Sequence, residues 1–240
     1  MKDYLQRFDP KNPLHVAWFN AVIDRLNKVD PGALKDGSSL DDLWRSATET
    51  KAPVKVSVSE WKTLINAINI SQPDAVTCQS ACIGMAVGDR SVEGIRRKLL
   101  ATGLSAGSPT AMARVIQSYK VKYKYEGDAS LNEVFGWLKA GEFLITHGWF
   151  TPSGHVICLD GLKSGPQARN QINVKDPWSE FNALKWRYDS SAKFYDGFYS
   201  ELCIYAACVA GSSCYDAERV YNKGYVDRSQ DGMWVHRIMP

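Results

Sequence analysis

The apolar pattern of this chain changes period at Gly141, and that change limits the folds open to it. Before Gly141 the apolar residues recur at helical spacing behind helix-start signals. Asn12-Pro13 precedes Trp18, Phe19, Val22, Ile23 and Leu26. Ser39 with Asp42, Ser57 with Glu60 and Ser130 with Glu133 are placed as capping pairs. Thr77 or Cys78 opens a helix that puts Ala81, Cys82 and Met85 on one face, with Gly88 near its end. Helices are expected from Ser91 to Thr102, closed by Gly103, and from Pro109 to about Lys120 behind Ser108. The Ser130 helix stops at Gly141. Beyond it come short apolar or alternating runs separated by glycine-rich breaks: Glu142 to His147, His155 to Leu162, Gln171 to Lys175 and Trp234 to Met239. Asp196-Gly197, between aromatic residues, reads as a hairpin turn. Helices first and strands after predict an α+β architecture, with N-terminal helices packed on an antiparallel sheet.

Lys51-Ala52-Pro53 marks a boundary, dividing a helical segment, 1–52, from a larger domain, 53–240. A chain of 240 residues is long enough to bury one sizeable core. Its 29 basic and 26 acidic residues leave a net charge of only +3, which argues against a dedicated nucleic-acid binder. No apolar run approaches the roughly 20 residues that span a bilayer. The N-terminal MKDYLQRFDPKNPLHV lacks the apolar stretch and cleavage site of a secretory signal, so synthesis in a cytosol is expected.

The chemistry-bearing residues fall in a definite order. A hydrolase that attacks through sulfur needs a thiolate, a base beside it, a group that fixes the base, and donors for the oxyanion. Cys78 stands at a helix N-terminus, where the macrodipole favours a thiolate. Gly154-His155 opens a strand and offers the base. Asp176 ends the following strand, before Pro177-Trp178, and offers the orienting carboxylate. Gln72 lies six residues before Cys78 across a loop, which resembles the place of the glutamine that offers its side-chain amide to the oxyanion in papain-like enzymes. Neither a metal nor an organic cofactor is required.

The segments SQPDAVTCQSACIGMAVG, LNEVFGWLKAGEFLITHGWFTPSGHVICLDGL and INVKDPW resemble papain-like cysteine peptidases of the bacteriocin-processing, double-glycine leader family. In that family a Gln lies upstream of the catalytic Cys, a Gly-His opens a strand, and an Asp-Pro follows the next strand. The resemblance covers roughly residues 65 to 185. It departs from many relatives at Cys78-Gln79, where they have Cys-Gly, and in this it is similar to phage lysis enzymes of the group. DPWSEFNALKWRYD and FDPKNPLHVAWFNAV are also similar to stretches of phage endolysins. The resemblance implies a papain-like fold and an endopeptidase acting on peptidoglycan stem or cross-link peptides, released to the wall through a holin lesion. A leader- or protein-processing peptidase is the alternative, and a binding module that has lost the chemistry is a third reading.

Each role has a rival. Cys82, one turn beyond Cys78, reads as a packing residue. His147, ending a strand before Gly148-Trp149, could line the groove. Asp160 is expected on the face of its strand away from His155. Asp176 before a proline could simply start a turn. His15 and His236 have no partner pattern and read as surface or packing residues, and Trp149, Phe150 and Trp178 read as core. Cys203, Cys208 and Cys214 are close together without zinc-ligand spacing, so buried thiols are expected there.

Overall fold

The computed structural model describes residues 69–119, 121–163, 171–189 and 194–239. The expected helices before residue 69, the 52/53 boundary and His15 lie outside them. All described residues belong to one unit, Ile68–Pro240.

Its centre is a six-stranded antiparallel sheet in the order β1-β8-β2-β3-β4-β7. The strands are β1 Tyr123–Ala129, β2 Phe143–Gly148, β3 His155–Leu162, β4 Gln171–Asp176, β7 Tyr195–Ser200 and β8 Met233–Ile238. Two short strands, β5 Phe181–Asn182 and β6 Arg187–Tyr188, make a separate hairpin. Among the described residues three helices precede the sheet: α1 Cys78–Val87, α2 Val92–Leu100 and α3 Pro109–Ser118. The others are α4 Leu131–Lys139, α5 Glu201–Ile204 running into a π-helix Tyr205–Ala210, and α6 Cys214–Lys223. The α+β class follows directly.

Both faces of the sheet are covered, which explains why β3 is buried almost from end to end. Successive side chains alternate across a strand. Leu144, Ile157, Leu159, Ile172, Val174, Met233 and Val235 belong to one apolar core with Val134 and Leu138 of α4, Ile204 of α5 and Ala217 of α6. The intervening Phe143, Ile145, Val156 and Cys158 are buried on the other face, where the Cys158 thiol meets the Cys82 carbonyl of α1 at 3.8 Å. A strand buried on two faces reads as a continuous apolar run.

The local signals hold where they are chemical. Ser130 and Glu133 form the reciprocal capping box, with Ser130 N–H donating to the Glu133 carboxylate at 2.9 Å. Ser91 caps α2, Pro109 opens α3, and Gly88 ends α1 in the left-handed region. Three expectations need correction. β1, at the sheet edge, carries mostly exposed residues and so lacks the alternation that would announce it. The helices of 201–223 interrupt the run of strands expected after Gly141. Asp196-Gly197 is no turn but the middle of β7, paired with Lys175 and Val174. The Tyr195 ring lies over Gly197, where a Cβ would come within 2.3 Å of its Cζ. Among the described residues, no helix is long and apolar enough to cross a membrane.

Candidate active site

Register brings the histidine to the aspartate. In the antiparallel pair β3–β4, Cys158 faces Lys175 and Leu159 faces Val174. The start of β3 therefore lies beside the end of β4, and His155 and Asp176 share a face. His155 Nε2 and Asp176 Oδ1 are 2.8 Å apart, and both residues are buried. With Nε2 committed to the carboxylate, Nδ1 is the ring atom left to exchange a proton.

Gly154 makes the entry to β3 possible. Its φ is +76°, and a Cβ there would lie 1.9 Å from the His147 Nε2. Only glycine tolerates both the conformation and the approach. Thr151 closes the turn, its hydroxyl donating to Gly154 O at 2.7 Å.

Cys78 is half-buried at the first position of α1. Thr77 precedes it without capping the helix, and no acidic residue stands in the first turn. Asp74 instead ties the preceding loop, its Oδ1 accepting from Val76 N–H and the Thr77 hydroxyl at 2.9 Å each. The positive end of the helix is thus left for the sulfur. Burial pushes the Cys78 thiol up, but the hydrogen bond and charge of His155, with the backbone N–H groups of Val156 and Gln79, bring it below its ordinary value of 9.0. For His155, burial disfavours the imidazolium, yet the charge and hydrogen bond of Asp176 and the contact with Cys78 outweigh it, raising the pKa from 6.5 to about 10.

Asp176 is more elaborately held than the sequence suggests. Its Oδ1 also accepts from Trp178 N–H at 2.9 Å, closing the turn expected before Pro177. Its Oδ2 accepts from the Tyr188 hydroxyl at 2.7 Å and the Tyr199 hydroxyl at 3.0 Å. Tyr188 comes from the β5–β6 hairpin, and its ring meets the His155 ring edge-on with centroids 5.6 Å apart. Phe150 meets the same imidazole at 6.4 Å and is itself 1% exposed. Neither tyrosine was singled out from the sequence, because no spacing rule ties a hydroxyl in one hairpin to a carboxylate in another strand.

Gln72 is buried, and its backbone N–H donates to Pro177 O at 2.9 Å, tying the loop before Cys78 to the residue after Asp176. One N–H of its amide is taken by Asp74 O at 2.7 Å. Its Oε1 is buried without a partner among the described residues.

The rivals stand apart. The Cys82 thiol is fully buried and donates to Val156 O at 3.3 Å, while burial and Cys158 push its pKa well up. His147 packs against two tryptophans. It stacks on Trp234 at 5.8 Å and meets Trp149 edge-on, and burial with the charge of His155 lowers its pKa to about 4. Asp160 lies on the far face near Lys175, which also bonds Asp196 and Asn69. His236 is fully buried and no surface residue. Its Nδ1 meets the Tyr123 hydroxyl at 2.7 Å, and burial lowers its pKa to about 3. Cys203 and Cys208 are core residues whose thiols burial pushes up. Among the described residues no three His, Cys, Asp or Glu side chains converge as a metal site.

No protein-family model matches the chain, and no curated protein matches it in sequence.

Proposed function

We propose that this chain is a papain-like cysteine hydrolase that cleaves amide bonds, with Cys78 as nucleophile, His155 as base, Asp176 as orienter and Gln72 as an oxyanion donor. The observation that carries the reading is the contact of three side chains: His155 Nε2 lies 2.8 Å from Asp176 Oδ1, and the half-buried Cys78 thiol meets the same imidazole, which lowers its pKa while Asp176 raises that of His155. Groups whose environments push their proton affinities toward exchange are the mark of a covalent acid–base pair.

His155 Nδ1 takes the thiol proton, and the thiolate attacks the amide carbonyl. The Cys78 N–H and the Gln72 side-chain amide receive the oxyanion, and one such donor is worth about 3 kcal/mol. His155 returns the proton to the leaving amine. Water, activated by the same imidazole, releases the acyl group. Asp176 holds Nε2 throughout, so that Nδ1 keeps facing the sulfur.

For the substrate we favour peptide stems or cross-links of peptidoglycan. The support is the likeness of the Cys78-Gln79 and Asp176-Pro177-Trp178 stretches to phage lysins. An enzyme of that kind is made in a cytosol and reaches the wall through a holin-type lesion. Purified sacculi incubated with the protein should release free amines without new reducing sugar ends, because amide hydrolysis leaves the glycan intact. Cys78→Ala should abolish the release. Intact sacculi together with cleavage of a protein or leader peptide at defined sites would replace the lysin reading by a processing peptidase with the same chemistry.

A further inference from the structure

The residue after the nucleophile is a large amide that packing buries. A buried amide must find partners for both its ends. Gln79 Nε2 donates to Val76 O at 3.0 Å, and Gln79 Oε1 accepts the Cys78 thiol proton at 3.2 Å. Turning the amide over would set Oε1 against Val76 O, two acceptors facing each other, so the backbone fixes which end the sulfur meets. A carbonyl oxygen accepts S–H but repels S⁻. The sulfur thus stands between two groups with opposite preferences. His155 draws the proton away, and Gln79 holds it on the thiol.

We propose that Gln79 is a catalytic residue that sets the thiol–thiolate balance of Cys78, its locked amide carbonyl holding the resting thiol proton against transfer to His155. This rests on the reading of Cys78 as nucleophile and deepens it. The resting enzyme keeps part of its sulfur as thiol, the form that oxidants and alkylating agents attack slowly. The lock is separable from the fold of the loop, because Val76 O also accepts from Arg96 Nη1 at 3.0 Å and keeps a partner when the amide is removed.

The test needs no substrate. Alkylation of the full chain by iodoacetamide is followed against pH, with peptide mass mapping so that only Cys78 is counted. Gln79→Leu should move the midpoint of thiolate formation down by about half a unit to one unit, the worth of one hydrogen bond. Gln79→Met, of similar length and likewise without a carbonyl, should move it down by the same amount. A downward shift shared by a branched and an unbranched apolar side chain follows the missing carbonyl and not the packing. A Gln79→Leu midpoint that is unmoved or raised overturns the proposal. Should that variant fail to fold, Gln79→Met decides: an unmoved or raised midpoint overturns it. His155→Ala separates this from the nucleophile reading. A low wild-type midpoint that rises in His155→Ala, with neither Gln79 variant moving, overturns the Gln79 role alone. A wild-type midpoint at or above 9.0 that ignores His155→Ala overturns both.

Discussion

His155 holds its proton through an ion pair with a carboxylate that is itself fully enclosed. Its folded pKa of about 10 lies above the ordinary 6.5. The proton is bound more tightly in the folded chain, so the pair contributes stability that is fully present below about pH 6.5 and lost as pH rises through about 10. Activity should follow a bell with the same upper edge. The rising limb lies below 9.0, where Cys78 loses its proton, and the falling limb near 10, where His155 loses its own. A kcat/KM profile without a descending limb in that region would refute the imidazolium. His155→Ala should leave almost no activity, whereas Asp176→Asn should keep part of it. An asparagine fits with its carbonyl toward His155 and the Trp178 N–H, and its amide toward the two tyrosine oxygens, which accept as readily as they donate. Equal and total loss in both variants would give Asp176 a larger role than orientation. Tyr188→Phe removes one donor from a buried carboxylate and should cost about 1–3 kcal/mol, with kcat falling more than KM changes. A wild-type melting point and kcat would take Tyr188 out of the site.

At the scale of elements, one turn and one cap separate catalysis from stability. Gly154→Ala meets both a positive φ and the His147 ring. The conformation alone costs about 1–2 kcal/mol, and relief of the clash must move either His147 or the residue that leads into His155. Activity should therefore drop together with the melting temperature. Ser130→Ala breaks the capping box of α4, far from the sulfur in sequence, and should cost about 1 kcal/mol with kcat unchanged. If Gly154→Ala were as active as Ser130→Ala, the tight entry to β3 would have no part in placing the base. Cys82→Ala belongs with Ser130→Ala: it empties buried volume beside Val156, so stability falls and alkylation of Cys78 persists.

Across the whole molecule, acid acts through buried neutral imidazoles. His236 is enclosed by Tyr123, Tyr125 and Trp234, and its pKa of about 3 lies below the ordinary 6.5. The unfolded chain therefore takes up that proton first. Stability is full above about pH 6.5 and falls as pH drops toward 3. His236→Phe should lower the melting temperature at neutral pH, through the lost Tyr123 bond, yet flatten its decline between pH 6.5 and 4. Parallel declines in the two proteins would show that His236 does not drive acid unfolding. The amino-acid sequence by itself determined the elements whose signals are local: the Ser130–Glu133 cap, the glycine that ends α1, and the alternating or apolar runs of β2, β3, β4 and β8. It also put Gln72, Cys78, His155 and Asp176 on the elements that carry them, because helix starts and strand ends have chemical markers in neighbouring residues. Only the tertiary structure decided what surrounds them. The register of β3 on β4 sets His155 against Asp176, the β5–β6 hairpin brings Tyr188 over the carboxylate, and packing at the start of α1 turns Gln79 onto the sulfur. Edge strand β1 and the true place of Asp196-Gly197 were hidden for the same reason. Strand pairing and ring packing are contacts between residues distant in the chain, and no local pattern records them.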